Sequence, residues 1–269
     1  MRVWRLGAGV LCIAASAALA GCFQSSTIVK LQTDGSGTIE ETLTMNTQAM
    51  SQLSAFAAMG NNGKGDASAP KEVLSEADAR AGAAKLGTGV TYVSSEKIQN
   101  ADVTGRKVIY AFKDIRQLSI QEVNSPSHLG DGSVSSTDAP MTFKLQQLPD
   151  GHSVLTIDNT AASKGSGIPG SDNNRNGAQA AQMMKVLFHG LKINVEIRVG
   201  RLIRTNIPYV AGNTVTLLGI DFDQLLANPD AFDRLTNAKT PADTRAAIKQ
   251  ANGVKVNLDP QLTIEFASR

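Results

Sequence analysis

Cysteine is almost absent: the 269 residues hold two, Cys12 and Cys22. Cys12 lies within a basic and apolar leader, so once that leader is removed a single thiol remains and no internal disulfide can form. A fold in an oxidising compartment must then rest on its core alone, for which roughly 245 residues are ample. An excess of one charge is absent too. The chain carries 26 basic and 24 acidic side chains, and loss of Arg2 and Arg5 with the leader leaves 24 against 24. Neutrality argues against nucleic acid, which requires a basic surface, and against a polybasic clamp for lipid headgroups. No second long apolar run follows Cys22, no repeat of fixed period appears, and no Pro/Ser/Gly linker precedes the first strand-like segment.

What is present starts with the leader. Arg2 and Arg5 supply positive charge, Leu6 to Ala20 is uncharged and apolar or small, and polar Gln24-Ser25-Ser26 follows at once. A spanning helix needs about 20 apolar residues, and this run falls short, so it reads as a secretory signal. The order Leu19-Ala20-Gly21-Cys22 resembles the lipobox of bacterial lipoproteins. That resemblance implies cleavage between Gly21 and Cys22 and diacylglycerol on the Cys22 sulfur. It divides the chain into a removed signal peptide (1–21), a short lipidated tether (22–25) and a single envelope domain (26–269). The membrane is then a partner through Cys22, held by acyl chains contributing about 0.8 kcal/mol per buried methylene. Phe23 stands where an Asp is associated with inner-membrane retention, which implies the outer membrane, facing the periplasm, in a Gram-negative cell.

The body alternates between two periods. Residues 27–33 and 38–45 alternate around Asp34-Gly35-Ser36-Gly37, a β-hairpin that places Ile39, Leu43 and Met45 on one face. Asn46 caps an amphipathic helix bearing Met50, Leu53, Phe56 and Met59, and Ser75-Glu76-Ala77-Asp78 opens a second helix ending at Leu86-Gly87. Residues 90–98 with 106–112, and 141–148 with 153–157, form two further hairpins. The segment 178–189 is helical, with Met183 and Leu187 on its broad apolar side and Gly190 closing it. Residues 193–199 pair with 213–218, residues 221–252 are mostly helical with Thr240-Pro241 as a start signal, and 254–258 and 262–266 are strands. Loops fall near 60–70, 124–140 and 159–177. Hairpins with clustered helices predict an α+β fold: an antiparallel sheet, packed amphipathic helices and a helical insertion near the C-terminus.

The opening Ile28-Val29-Lys30-Leu31 through Asp34-Gly35-Ser36-Gly37-Thr38 to Glu41-Thr42, just after the lipobox cysteine, resembles that of LppM-like bacterial lipoproteins. Val199-Gly200-Arg201 through Thr205-Asn206 to Gly212-Asn213-Thr214-Val215-Thr216 is similar to that family's terminal hairpin. The resemblance implies an α+β envelope domain, in some members associated with lipid, without an established catalytic site. The chain departs from it at Leu217, where an aromatic is more usual, in lacking a C-terminal membrane helix, and in the helical stretch 221–252.

Chemical signatures are missing. Asp172, Asn174, Asn176 and Gly177 match the first half of a calcium loop, but its twelfth position is Met183 rather than a bidentate carboxylate. His128, His152 and His189 are scattered, Gly-x-Ser-x-Gly and the penicillin-binding motifs are absent, and no free thiol remains. Glu40 and Glu41 are adjacent and so face opposite sides of a strand. The reading is therefore non-enzymatic, with no catalytic residue, metal or cofactor. Flexible methionines suit an adaptable apolar groove between the helices and the sheet, lined by Met50, Phe56, Met183 and Leu187, for a lipid or a membrane-protein partner. The alternatives are a structural or assembly component, expected to show an exposed apolar patch or open strand edge, and an envelope hydrolase, expected to show an acid and a base about 3 Å apart in a polar cleft.

Overall fold

A computed structural model describes residues 23–47, 72–119, 141–160, 189–238 and 240–268. Strand β1 (Phe23–Leu31) buries every odd residue and β2 (Gly37–Asn46) returns antiparallel to it, in register from Phe23 opposite Met45 to Leu31 opposite Gly37. The turn needs its first glycine: Gly35 has φ of 92°, a conformation costly for any residue with a Cβ, while Asp34 Oδ1 accepts from the Ser36 N–H at 2.9 Å. Helix α1 (Glu76–Gly82) is capped by Ser75, whose hydroxyl accepts from Asp78 N–H, as the sequence predicts, and a 3-10 turn (Ala83–Lys85) finishes it. β3 (Thr91–Gln99) and β4 (Val103–Phe112) form the next hairpin, then β5 (Thr142–Gln147) and β6 (Ser153–Asp158) another.

The second half supplies β7 (Lys192–Arg198), β8 (Arg201–Thr205), the short β9 (Val210–Ala211) and β10 (Thr214–Asp221). Three helices follow, α2 (Phe222–Leu226), α3 (Pro229–Thr236) and α4 (Pro241–Gln250), then β11 (Val254–Val256) and β12 (Gln261–Ala267). Thr240 and Asp243 close a reciprocal capping box on α4.

Among the described residues the strands make two sheets. The first runs β11-β10-β7-β1-β2-β4-β3, with β9 beside β10, and the second runs β5-β6-β12-β8. Val29, Leu31, Ile39, Val108 and Tyr110 from the first pack with Phe143, Leu155, Ile157, Leu262 and Ile264 from the second in one core. A smaller cluster (Leu225, Leu226, Ala231, Phe232, Leu235, Ile248) holds the three helices together, and a third (Phe23, Met45, Leu191, Ile193) closes the end of the first sheet where β1 begins.

The α+β class holds. The sheet plan differs from the sequence expectation in four respects. β1 starts at Phe23 rather than Thr27, because Phe23 is itself buried against Met45. β1 pairs with β7 in parallel, an arrangement that alternation alone cannot distinguish from antiparallel. The segment after Gly200 does not continue a hairpin. β7 pairs with β10 as expected, but β8 between them crosses to the second sheet and pairs with β12. β11 and β12, neighbours in sequence, likewise part to different sheets.

Candidate functional site

The inner face of β2 presents Ile39, Glu41, Leu43 and Met45 in a column, of which Ile39 is fully buried and Met45 nearly so. Glu41 breaks this apolar column. It lies opposite Thr27 of β1 and Val108 of β4, and the row beside it sets Leu43 between Ser25 and Arg106. Ser25, Thr27 and Arg106 are all buried. A polar strip of Ser25, Thr27, Glu41 and Arg106 thus crosses the covered face, with the main core on one side and the Phe23/Met45 cluster on the other.

Arg106 does not neutralise Glu41. Its guanidinium is spent on Leu74 O (3.0 Å), Ser95 Oγ (2.9 Å) and Glu72 Oε2 (3.2 Å), which pins the segment leading into α1. Among the described residues Glu41 has neither a hydrogen bond nor an ion pair, and burial pushes its carboxyl up from 4.5 to about 7. Glu40, on the opposite face, shows the contrast: Lys107 at 2.9 Å and Lys30 at 2.8 Å hold it below the usual range. The same burial, together with the Glu41 charge, raises Tyr110, whose hydroxyl donates to Ala79 O at 2.8 Å. A half-buried carboxyl without a partner is costly in a core and typical of a site that meets a ligand. Near neutrality it both donates as the acid and accepts as the carboxylate.

A second polar feature lies on the second sheet. A shallow cleft of about 300 Å³ is lined by Val154, Arg204, Thr205, Asn206, Thr263 and Glu265. Arg204 Nε donates to Glu265 Oε2 at 2.6 Å, and His152 Nδ1 is buried without a hydrogen-bond partner among the described residues, 3.3 Å from Asp150 and 3.5 Å from Glu265. Thr205 Oγ1 donates to Thr263 O at 2.6 Å and so is not free to attack a substrate. His189, whose expected helix lies outside the described residues, pairs with Asp223 in the first turn of α2 at 2.6 Å, on the surface. Among the described residues no cluster of His, Cys, Asp or Glu could hold a metal ion, and no helix is long and apolar enough to cross a membrane.

Of the residues expected from sequence, Gly21, Cys22, Met50, Phe56, Met183 and Leu187 lie outside the described residues, as do the calcium-loop match and the loops at 60–70, 124–140 and 161–177. Met45, at the foot of the Glu41 column, is described and sits in the core cluster with Phe23. Glu41 itself was missed as a site residue. Its signal is that it occupies the polar gap in the Ile39-x-Glu41-x-Leu43-x-Met45 alternation.

No protein-family model and no curated protein matches the chain. Among solved structures, the NMR structure of the folded domain of the Mycobacterium tuberculosis LppM protein matches with a TM-score of 0.33 and 7% identity, over 97% of this chain and 96% of that one. A likeness at that level leaves function to the geometry of the site.

Proposed function

We propose that the chain is a lipid-anchored protein of the bacterial envelope that binds, and does not transform, an amphipathic ligand or membrane-protein partner at the membrane surface. The observation that carries this reading is Glu41. Its carboxyl has no hydrogen-bond or ion-pair partner among the described residues and lies on the covered face of the central sheet, beside buried Thr27 and Ser25 of β1 and between two apolar clusters. Binding sites have this composition, mostly apolar walls with a few fixed polar groups. Catalysis would need a hydroxyl engaged by the carboxyl as its base, and among the described residues Glu41 makes no hydrogen bond to Ser25 or Thr27. The Leu19-Cys22 order supports the address, with acylation at Cys22 holding the domain at the bilayer.

The assembly alternative draws on edge strand β3, where Val93 is 54% exposed. The register of β3 breaks between Tyr92 and Ser94, and Glu96 and Lys97 charge the strand beyond it, features that blunt an edge against pairing. The ligand reading is therefore preferred.

Native mass spectrometry of protein extracted from its own membranes tests it. The expected spectrum carries one stoichiometric amphiphile on the wild type, with occupancy falling about tenfold in Glu41→Gln, the cost of one buried polar contact. A bare polypeptide mass for the wild type, or an adduct indifferent to both Glu41→Gln and Thr27→Val, contradicts the reading.

A further inference from the structure

The anchor proposed at Cys22 and the position of β1 together constrain how the domain stands on its membrane. Phe23, one peptide bond from Cys22, is already strand: it is 8% exposed and pairs in register with Met45. Gln24, the next residue, is also held on its other side by Lys192 of β7. There is no slack to peel away without breaking that register. Consecutive Cα atoms are about 3.8 Å apart, so the acylated sulfur lies within roughly 7 Å of the Phe23 Cα.

β1 is also central. Three strands lie on each side of it in the order β11-β10-β7-β1-β2-β4-β3. At about 4.8 Å between strands, each flank extends about 14 Å from the anchor. A sideways tilt of the sheet would drive one flank into the bilayer while the anchor stayed fixed, so the sheet is balanced on its tether.

The elements that end beside Phe23 form a rim. Among the described residues they are Asn46 and Thr47 at the end of β2, the exposed turn Asn100–Asp102 between β3 and β4, His189 to Lys192 before β7, and Asp221–Phe222, where β10 passes into α2 and the Phe222 N–H donates to Leu191 O at 3.0 Å. The turn is rigid, because Asn100 Oδ1 accepts from the N–H groups of Asp102 and Val103, and Thr47 N–H donates to Asp102 O at 2.9 Å. The rim offers no excess of cations: Lys192 pairs with Asp221 at 2.9 Å, His189 Nδ1 lies 2.6 Å from Asp223, and Asp102 adds a further carboxyl.

We propose that this rim is seated on the headgroup layer of the bilayer holding the anchor, with the strands of the first sheet standing upright and the Asp34–Gly37 turn pointing away. β1 spans nine residues, which places that turn roughly 30 Å above the rim. Covalent geometry, not charge, sets the orientation, so anionic lipid and salt leave it unchanged. The Glu41 row lies four residues of β1 above Phe23, roughly 13 Å from the surface. The inference rests on the anchored reading and adds the contact surface to it.

The mature chain has no cysteine besides Cys22, so a fluorophore on Asp102→Cys or on Ser36→Cys labels one position in the acylated protein. Energy transfer to headgroup-labelled phospholipid in vesicles reads the height of each. With both variants melting as the wild type does, the expected result is near-complete transfer from position 102 and weak transfer from position 36. The ratio is expected to be the same in neutral vesicles, in vesicles containing phosphatidylglycerol, and at high salt. Equal transfer from the two positions in acylated protein overturns the upright orientation while leaving the anchor intact. A ratio that changes with salt or anionic lipid overturns the covalent control of it. A Cys22 thiol that reacts with the dye in the unsubstituted protein overturns the anchor and the orientation with it.

Discussion

Glu41 is the residue on which the functional account turns, and its ionisation has a consequence for stability. Its carboxyl titrates near 7 in the fold against 4.5 when unperturbed, because burial disfavours the charge. A raised carboxyl binds its proton more tightly in the folded than in the unfolded chain. The associated stability is complete below about pH 4.5 and is lost as pH rises through about 7. The full shift corresponds to at most about 3 to 4 kcal/mol, less for a side chain that keeps some contact with solvent. Glu41→Gln removes the ionisation, so the ligand-free variant is expected to melt several degrees above the wild type at pH 8 and within a degree or so of it at pH 4.5. Thermal melts at the two pH values check this, and a difference independent of pH would remove burial as the cause. The sequence shows that Glu40 and Glu41 point to opposite faces, because strand side chains alternate. It does not show which face is covered, and that alone separates a carboxylate held by two lysines from one that has no partner among the described residues.

At the scale of single elements, the hairpins, the Ser75 cap and the Thr240-Pro241 start were legible because their signals are local: turn glycines, a capping hydroxyl, a period of two. Gly37 is a sharper case. A Cβ there would meet Lys30 O at 2.1 Å and Phe112 Cζ at 2.6 Å, whereas one at Gly89 would meet nothing within 4 Å. Gly37→Ala is expected to destabilise by several kcal/mol, since backbone must move. Gly89 has φ of 77°, so Gly89→Ala is expected to cost only about 1 kcal/mol of conformational strain. Urea melts of the pair distinguish steric from conformational need. Arg106→Met removes the guanidinium that gathers Leu74 O, Ser95 and Glu72, and is expected to cost about 2 to 4 kcal/mol, with raised hydrogen exchange confined to residues 72–82 and β3. Exchange spread evenly over both sheets would contradict a local clamp. The crossing of β8 to the second sheet was not legible. Its partners in β12 lie about sixty residues away: Arg204 meets Glu265 and Thr205 meets Thr263. Val199-Gly200-Arg201 carries the same local chemistry whether the chain folds back or crosses over.

For the whole molecule, two sheets share one core while the helices α2 to α4 pack around a cluster of their own. This explains how a chain without a disulfide in its body closes: Ile39, Val108, Leu155, Ile157 and Ile264 are all fully buried where the sheets meet. The parallel contact of β1 with β7 joins residues some 170 apart and fixes the first strand at the centre of the sheet. Centrality matters because the same strand follows Cys22 directly. With the attachment proposed at Cys22, it would put the anchor beneath the middle of the first sheet and the Glu41 strip a few residues above it. The groove expected from Met50, Phe56, Met183 and Leu187 belongs to segments outside the described residues. Anchorage at Cys22 is thus the claim that joins the sequence to the geometry. The most direct measurement is metabolic labelling with an alkyne fatty acid, with membrane fractionation and the intact mass of the wild type and of Cys22→Ser. The account predicts acyl label on the wild type, a mass that begins at Cys22 and carries diacylglycerol, and a Cys22→Ser variant that takes up no label. An unacylated wild type, cut elsewhere and free of the membrane, would contradict it.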